Sequence, residues 1–243
     1  MMKNICWRHI ALAISLCITA LTITAQDNDK ILNRQYVDLK RIHFGFSVGT
    51  HMQDLLFTHS GYITDEGETW YMEQPNYSPG FNVTVLGDLR LGKHFNLRLS
   101  PGMYFGNKVV KMHDVAHPES EILSQNIKSA YVVAPLDLKI SSERYHNIRP
   151  YVTTGVMAAF DVSKKRSDML KLKTTDVFFT IGIGCDFYLP YFKLCPEIKY
   201  CFGLTDNLQH NRPDLSDDPT DLRFTKSLSK VKQHMLVISF YFE

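Results

Sequence analysis

Between residues 174 and 204 apolar and polar side chains alternate one for one. Val177, Phe179, Ile181, Ile183, Cys185 and Phe187 share one parity, while Asp176, Thr180, Gly182, Gly184 and Asp186 share the other. After Leu189-Pro190-Tyr191-Phe192 the pattern resumes, with Leu194, Pro196, Ile198, Tyr200, Phe202 and Leu204 set against Lys193, Glu197, Lys199 and Gly203. A period of two, with no apolar stripe at helical spacing, predicts a β-hairpin with one oily face and one charged, glycine-bearing face.

The same alternation recurs at 43–52, 80–91, 95–106, 127–140, 148–162 and 231–243, which brings the predicted strands to eight. The connections alternate long and short. Long polar loops are expected at 53–79, 107–126, 163–173 and 205–230, and short turns at 92–94, 141–147 and 189–192. Eight alternating strands joined in this way predict an all-β fold, a single antiparallel up-and-down barrel.

Alternation does not say which face points inward. In a soluble lipocalin-like barrel the apolar parity would fill the centre and Asp88, Arg98, Lys139 and Lys199 would lie in water. Three features favour a barrel in a bilayer: the apolar parity is long and nearly unbroken, aromatics such as Phe81, Phe95, Phe105, Phe187 and Phe242 recur near strand ends, and the opposite parity carries both charge signs. A charge facing lipid costs about 2–4 kcal/mol at the midplane. The expectation is therefore a transmembrane barrel whose lumen holds Asp88, Arg90, Arg98, Asp137, Lys139, Arg149, Asp186, Glu197 and Lys199 as a structural charge network. Hairpin registers put Asp88 opposite Arg98, Asp137 diagonal to Arg149, and Gly182 and Gly184 against Lys199 and Glu197. An eight-stranded interior is only wide enough for side chains to fill, so a plugged lumen without a pore is predicted. An even strand count puts both ends of the barrel on the periplasmic side of a bacterial outer membrane.

The start of the chain changes the charge picture. Lys3 and Arg8 precede an apolar run from Ile10 to Ile23, followed by Thr24-Ala25, the parts of a cleaved signal peptide over 1–25. Two of the 27 basic side chains leave with it and no acidic one does, so the remainder balances the 25 acidic residues. Nothing points to nucleic acid, which needs a clustered basic face. Residues 26–42 read as a flexible periplasmic lead-in and 43–243 as the barrel. Cys185, Cys195 and Cys201 remain, and an odd number excludes a complete disulfide framework. Cys185 and Cys195 also fall on opposite faces.

Few residues suggest chemistry. His113 and His117 are four apart, but in a loop, where helical spacing has no meaning. His51, Ser129 and His234 could meet near the outer rim, as an acyl-transferring barrel enzyme would require, and this is the alternative reading: a lipid-modifying enzyme. Gly182-x-Gly184 lacks the third glycine and the following helix of a dinucleotide site. Asn76-Tyr77-Ser78 and Asn82-Val83-Thr84 match the glycosylation pattern by chance. No cofactor, metal or small-molecule substrate is expected.

The run Arg149-Pro150-Tyr151-Val152-Thr153-Thr154-Gly155-Val156, and the block 176–204 with Pro196-Glu197-Ile198-Lys199-Tyr200, resemble the PorT family of outer-membrane barrels. The likeness covers nearly the whole chain after the leader. It implies a non-enzymatic role in type IX secretion, the export of proteins, proteases among them, that carry a C-terminal signal. It also implies partners among the other components of that machine and the lipid of the outer membrane. Gly182, Gly184, Glu197, Lys199 and Tyr200 match the family hairpin as lumen and wall elements, and no catalytic residue carries over.

Overall fold

A computed structural model describes residues 33–243, apart from 65–66, 74–77, 117–118, 120–121, 164–169 and 212–218. The leader 1–25, residues 26–32, His117 and Asn76-Tyr77 therefore lie outside the described residues. In chain order the elements are β1 (Ile42–His59), β2 (Trp70–Met72), β3 (Pro79–Arg90), β4 (Phe95–Leu99), β5 (Gly102–Asp114), β6 (Leu123–Ser141), β7 (Ile148–Asp161), β8 (Thr175–Tyr188), β9 (Lys193–Gly203), helix α1 (Pro219–Lys226) and β10 (Leu228–Phe242).

These strands pair antiparallel around a ring that β1 closes, with β10 on one side and β3 on the other. β4 and β5 are one stave. Their register against β6 runs through unbroken, Leu99 opposite Leu136 and Gly102 opposite Val133. The interruption falls at Ser100-Pro101 because proline has no N–H to give the ladder, while the Ser100 N–H still reaches the Pro135 carbonyl at 3.1 Å. The barrel is thus eight-stranded, as the alternation predicts, and β2 is a short addition that pairs with β5.

Its polarity is that of a membrane barrel. Val83 and Ile181 are 46% and 45% exposed on the outer wall, whereas Asp88 and Arg98 are 1% and 0% exposed within. The soluble reading, with the apolar parity at the centre, is overturned. The short turns and both ends of the ring share one rim, and the long connections share the other.

The strands run further than expected. β1 has 18 residues and β6 has 19, whereas a tilted crossing needs only about 9–11. The surplus lies at the long-loop rim, where residues 53–59, 107–114 and 123–126, read as loop, continue as strand. There the amphipathicity inverts. On the outer wall Asp54 pairs with His234 and Asn107 with Lys128, in place of the oily rows below. On the inner wall Leu55, Val110, Met112 and Val231 are buried, beside the polar Lys108, Asp114 and Gln125. This projecting part forms a hood. Its core adds Trp70, Met72, Leu170, Leu172, Leu208, Phe224 and Leu228.

Helix α1 closes the hood, in a stretch read as loop. Pro219 suits a first helical position, where no N–H is needed. The Phe224 ring meets Trp70 edge-on at 4.9 Å. Arg223 lies over Trp70 at 4.8 Å and binds Glu68 at 2.6 Å. At the helix end the Ser227 hydroxyl donates to the Arg223 carbonyl at 2.7 Å.

The described half of the lead-in, expected to be flexible, is fastened across the short-turn rim. Asn33 donates to the Tyr188 carbonyl at 2.9 Å, Arg34 to the Glu243 carbonyl at 2.7 Å, and the Tyr188 hydroxyl to Asp38 at 2.6 Å. Arg144 stacks on the Tyr188 ring at 3.5 Å and pairs with Asp38 at 3.4 Å. Composition alone gave no sign of these partners, which lie more than 100 residues away in sequence.

Candidate functional site: a closed, charged lumen

Four cations and five carboxylates converge inside the short-turn half of the barrel. Asp88 of β3 stands opposite Arg98 of β4 because the turn between them is short. Arg98 reaches Asp88 at 3.5 Å, Glu197 at 2.9 Å and Glu243 at 3.6 Å. Beside it Lys139 binds Asp186 at 2.7 Å, and Lys193 bridges Asp186, at 4.0 Å, to Glu243. Towards the middle Lys199 joins Asp137 to Glu197, the latter at 3.1 Å, and Thr180 donates to Asp137 at 2.7 Å. Aromatic faces complete the packing: Arg98 lies 4.7 Å from the Tyr241 ring, and Lys139 4.0 Å from Tyr151. A buried ion left without its partner is costly, so a lumen of this kind holds together only as a nearly neutral whole.

The inner glycines have a specific role. A Cβ on Gly184 would collide with the Tyr151 ring, and one on Gly182 with Thr153 Oγ1. The registers Gly182 with Lys199 and Gly184 with Glu197 are as the hairpin predicts, yet the space is taken by β7 side chains as well.

Of the nine residues expected in the network, the structure brings seven together: Asp88, Arg98, Asp137, Lys139, Asp186, Glu197 and Lys199. Arg90 and Arg149 stay at the rim. Arg90 donates to the Gly92 carbonyl at 3.1 Å, and Arg149 to the Ser142 and Lys93 carbonyls at 2.9 and 2.6 Å. The expected diagonal between Asp137 and Arg149 is a correction: the register pairs Asp137 with Gly155 and Arg149 with Asp186, because the turn after β6 is longer than a tight hairpin. Lys193 and Glu243 were missed. Both lie at strand ends, and the signal that could have found them is parity, since Lys193 falls on the charged face of its strand.

Above the ions the lumen continues with neutral hydrogen bonds, among which Lys108, Asp161 and Asp176 are also buried. Ser47 and Thr84 meet at 2.7 Å, Asn82 donates to Ser239 at 3.1 Å, and Tyr131 donates to Gln233 at 3.0 Å. Here the trio considered for acyl transfer separates. The Gln53 amide stands between His51 and Ser129, 3.0 Å from each. His234 is on the outer wall, 6.0 Å from the rings of Tyr200 and Phe202. A hydroxyl that donates to an amide oxygen, with no imidazole to take its proton, is not arranged as a nucleophile. His113 lies 3.5 Å from Glu73, and among the described residues no set of three His, Cys, Asp or Glu side chains is grouped to hold a metal. Asn82 of the second glycosylation pattern is buried in the lumen. Cys185 is half-buried on the wall, Cys195 and Cys201 are buried inside, and all three are free thiols.

The lumen is thus filled along its length, strapped at one rim and roofed at the other. Among solved structures the chain is similar to the outer membrane protein OprG from Pseudomonas aeruginosa, with 12% identity and a TM-score of 0.46 over 82% of this chain and 93% of that one. It is also similar to Neisserial surface protein A, at 8% identity and TM-score 0.41 over 83% and 98%. The outer membrane protease OmpT from Escherichia coli matches at 10% identity and TM-score 0.39 over 84% and 96%. No curated protein matches the sequence. Residues 24–209 match the family described as outer membrane protein beta-barrel domain. That match spans most of the chain, so the protein belongs to the outer membrane β-barrel domain family and resides in the outer membrane.

Proposed function

We propose that this barrel is a non-enzymatic component of type IX secretion, of the PorT kind, acting through its two rims rather than through its lumen. The observation that carries the reading is the ion-filled interior: a lumen occupied by Arg98, Lys139, Lys193, Lys199 and their carboxylates leaves no path for cargo. What remains available to partners is the short-turn rim with its strap and the roofed hood. The PorT-like hairpin supports the same view, since Glu197 and Lys199 of Pro196-Glu197-Ile198-Lys199-Tyr200 are members of the network. In this reading the short-turn rim and both chain ends face the periplasm, and the hood faces outward.

The test is a gene deletion. Cargo bearing the C-terminal signal is expected to accumulate unprocessed in the periplasm, and the full chain is expected to restore export. Normal surface delivery of that cargo in the deletion strain would overturn the proposal.

A further inference from the structure

The strap spans the mouth of the barrel from side to side. Asn33 is held at the feet of β7 and β8, where its side chain donates to the Tyr188 carbonyl at 2.9 Å and its N–H reaches Asn147 Oδ1 at 3.1 Å. Further along, the Arg41 carbonyl accepts from the Arg90 N–H at 2.9 Å, at the seam between β1 and β3. One way round the ring β3, β4 with β5, β6 and β7 lie between these two seams, and the other way β8, β9, β10 and β1, so the crossing is diametric. In its middle a single 3-10 turn, Val37–Leu39, sorts the side chains by face. Val37 is 6% exposed and closes the mouth, while Tyr36 and Leu39 are 74% and 66% exposed and point away from it. Lipid meets the outer wall and not the mouth, so this apolar pair faces water.

The cations of this rim divide into two groups. Lys93 is neutralised by Glu143, and Arg144 and Arg149 by Asp38. Lys40 and Arg41, next to Leu39 in the chain, are exposed and meet no carboxylate within ion-pair distance among the described residues. An exposed tyrosine and leucine on a pinned turn, beside positive charge that the chain itself leaves unbalanced, have the composition of a protein interface, where aromatic side chains and arginine are enriched and complementary charge selects the partner. A second copy of this chain does not supply that complement. Its rim is equally basic, and two barrels in one membrane point their rims the same way.

We infer that the water-facing side of the strap, Tyr36 and Leu39 with Lys40 and Arg41, is the docking site for a periplasmic protein segment that carries acidic side chains around an apolar anchor. This docking site rests on the secretion reading, in which the rim faces the periplasm, and gives that reading a place and a charge of contact. Asn33, Arg34 and Asp38 hold the turn before any partner arrives, so little conformational freedom is lost on docking.

The full chain would be produced in its own cells with a photoreactive residue at Tyr36, at Leu39 or, on the exposed outer wall, at Val85, and the adducts mapped by mass spectrometry after irradiation. Positions 36 and 39 are expected to capture one and the same periplasmic chain, on a segment where Asp and Glu outnumber Lys and Arg, and position 85 to capture lipid. Lys40→Glu with Arg41→Glu should lower the yield of the protein adduct severalfold, while Lys40→Arg with Arg41→Lys should keep it. Added salt should weaken it in isolated outer membranes. If the double reversal loses its heat-modifiable folded band, Lys40→Gln alone is used, with a smaller loss expected. Capture of lipid or peptidoglycan at 36 and 39, capture on a neutral or basic segment, or a yield unmoved by charge reversal would overturn the docking site. If the deletion strain exports cargo normally while the expected capture holds in the complemented strain, the docking site stands and only its place in secretion fails.

Discussion

The belt and the hood are made of the same strands with opposite amphipathicity. On β1 the outward residues Phe44, Phe46, Val48 and Met52 are exposed in the belt, and the inward Ser47, His51 and Gln53 are buried. Two residues past Met52 the roles exchange: Asp54 points out and Leu55 in. β5, β6 and β10 make the same exchange at Asn107, Lys128 and His234. The surroundings decide the pattern. Hydrocarbon rewards an oily exterior and forces polar groups to satisfy one another within, while water drives apolar surface inward. The inversion therefore marks where the chain leaves the bilayer, and the two regions should respond differently to the same kind of damage.

The largest effect is expected in the belt. Arg98→Ala leaves Asp88, Glu197 and Glu243 without their shared cation, and should remove about 3–5 kcal/mol from the global unfolding free energy in lipid vesicles. Next, Phe224→Ala empties the centre of the hood core, with a loss of about 3 kcal/mol. Proteolysis at the long-loop rim should rise while the barrel keeps its heat-modifiable band, because the damage is confined to the hood. Loss of that band would mean the two regions fold as one. An arginine on the outer wall sharpens the contrast: Ile181→Arg should cost roughly 2–4 kcal/mol, and Thr58→Arg, outward on β1 beyond the belt, next to nothing. Equal effects in the same unfolding assay would erase the boundary.

The smallest effect is one of pH. Asp206 ties the hood connection by accepting from the Val231 and Leu208 N–H groups and from His210. Burial works against its charge, but these donors outweigh it and hold the carboxyl below the usual range. A depressed folded-state pKa gives stability that is full above the unfolded carboxylate value, about 3.9, and is lost as pH falls below it. Protease access to the hood should rise on acidification below about pH 4, and Asp206→Asn should flatten that dependence.

Much of the belt was legible because its alternation is uninterrupted. The eight strands, the facing of Asp88 and Arg98, and the pairing of Gly182 with Lys199 all follow from parity and turn length. The hood was not legible, and the reason is the inversion itself. At Leu55-Leu56 two apolar residues adjoin, the alternation changes phase, and the rest of β1 reads as loop. Arg149 was misplaced for a different reason: a six-residue turn leaves the register free to slip, so its distance from Asp137 could not be fixed by counting. The strap was hidden because Asn33, Arg34 and Asp38 find partners only after the ring has closed.

A depth scan along β1 tests the inversion most directly. Spin labels would be placed one at a time from residue 46 to 58, in a background with Cys185, Cys195 and Cys201 replaced, and the protein reconstituted in a bilayer. Labels at Phe46, Val48 and Met52 are expected to collide with oxygen dissolved in lipid, and labels at Asp54, Leu56 and Thr58 with a water-soluble nickel chelate. Lipid contact at Ser47 and His51, or lipid contact that persists unchanged through Thr58, would contradict the account.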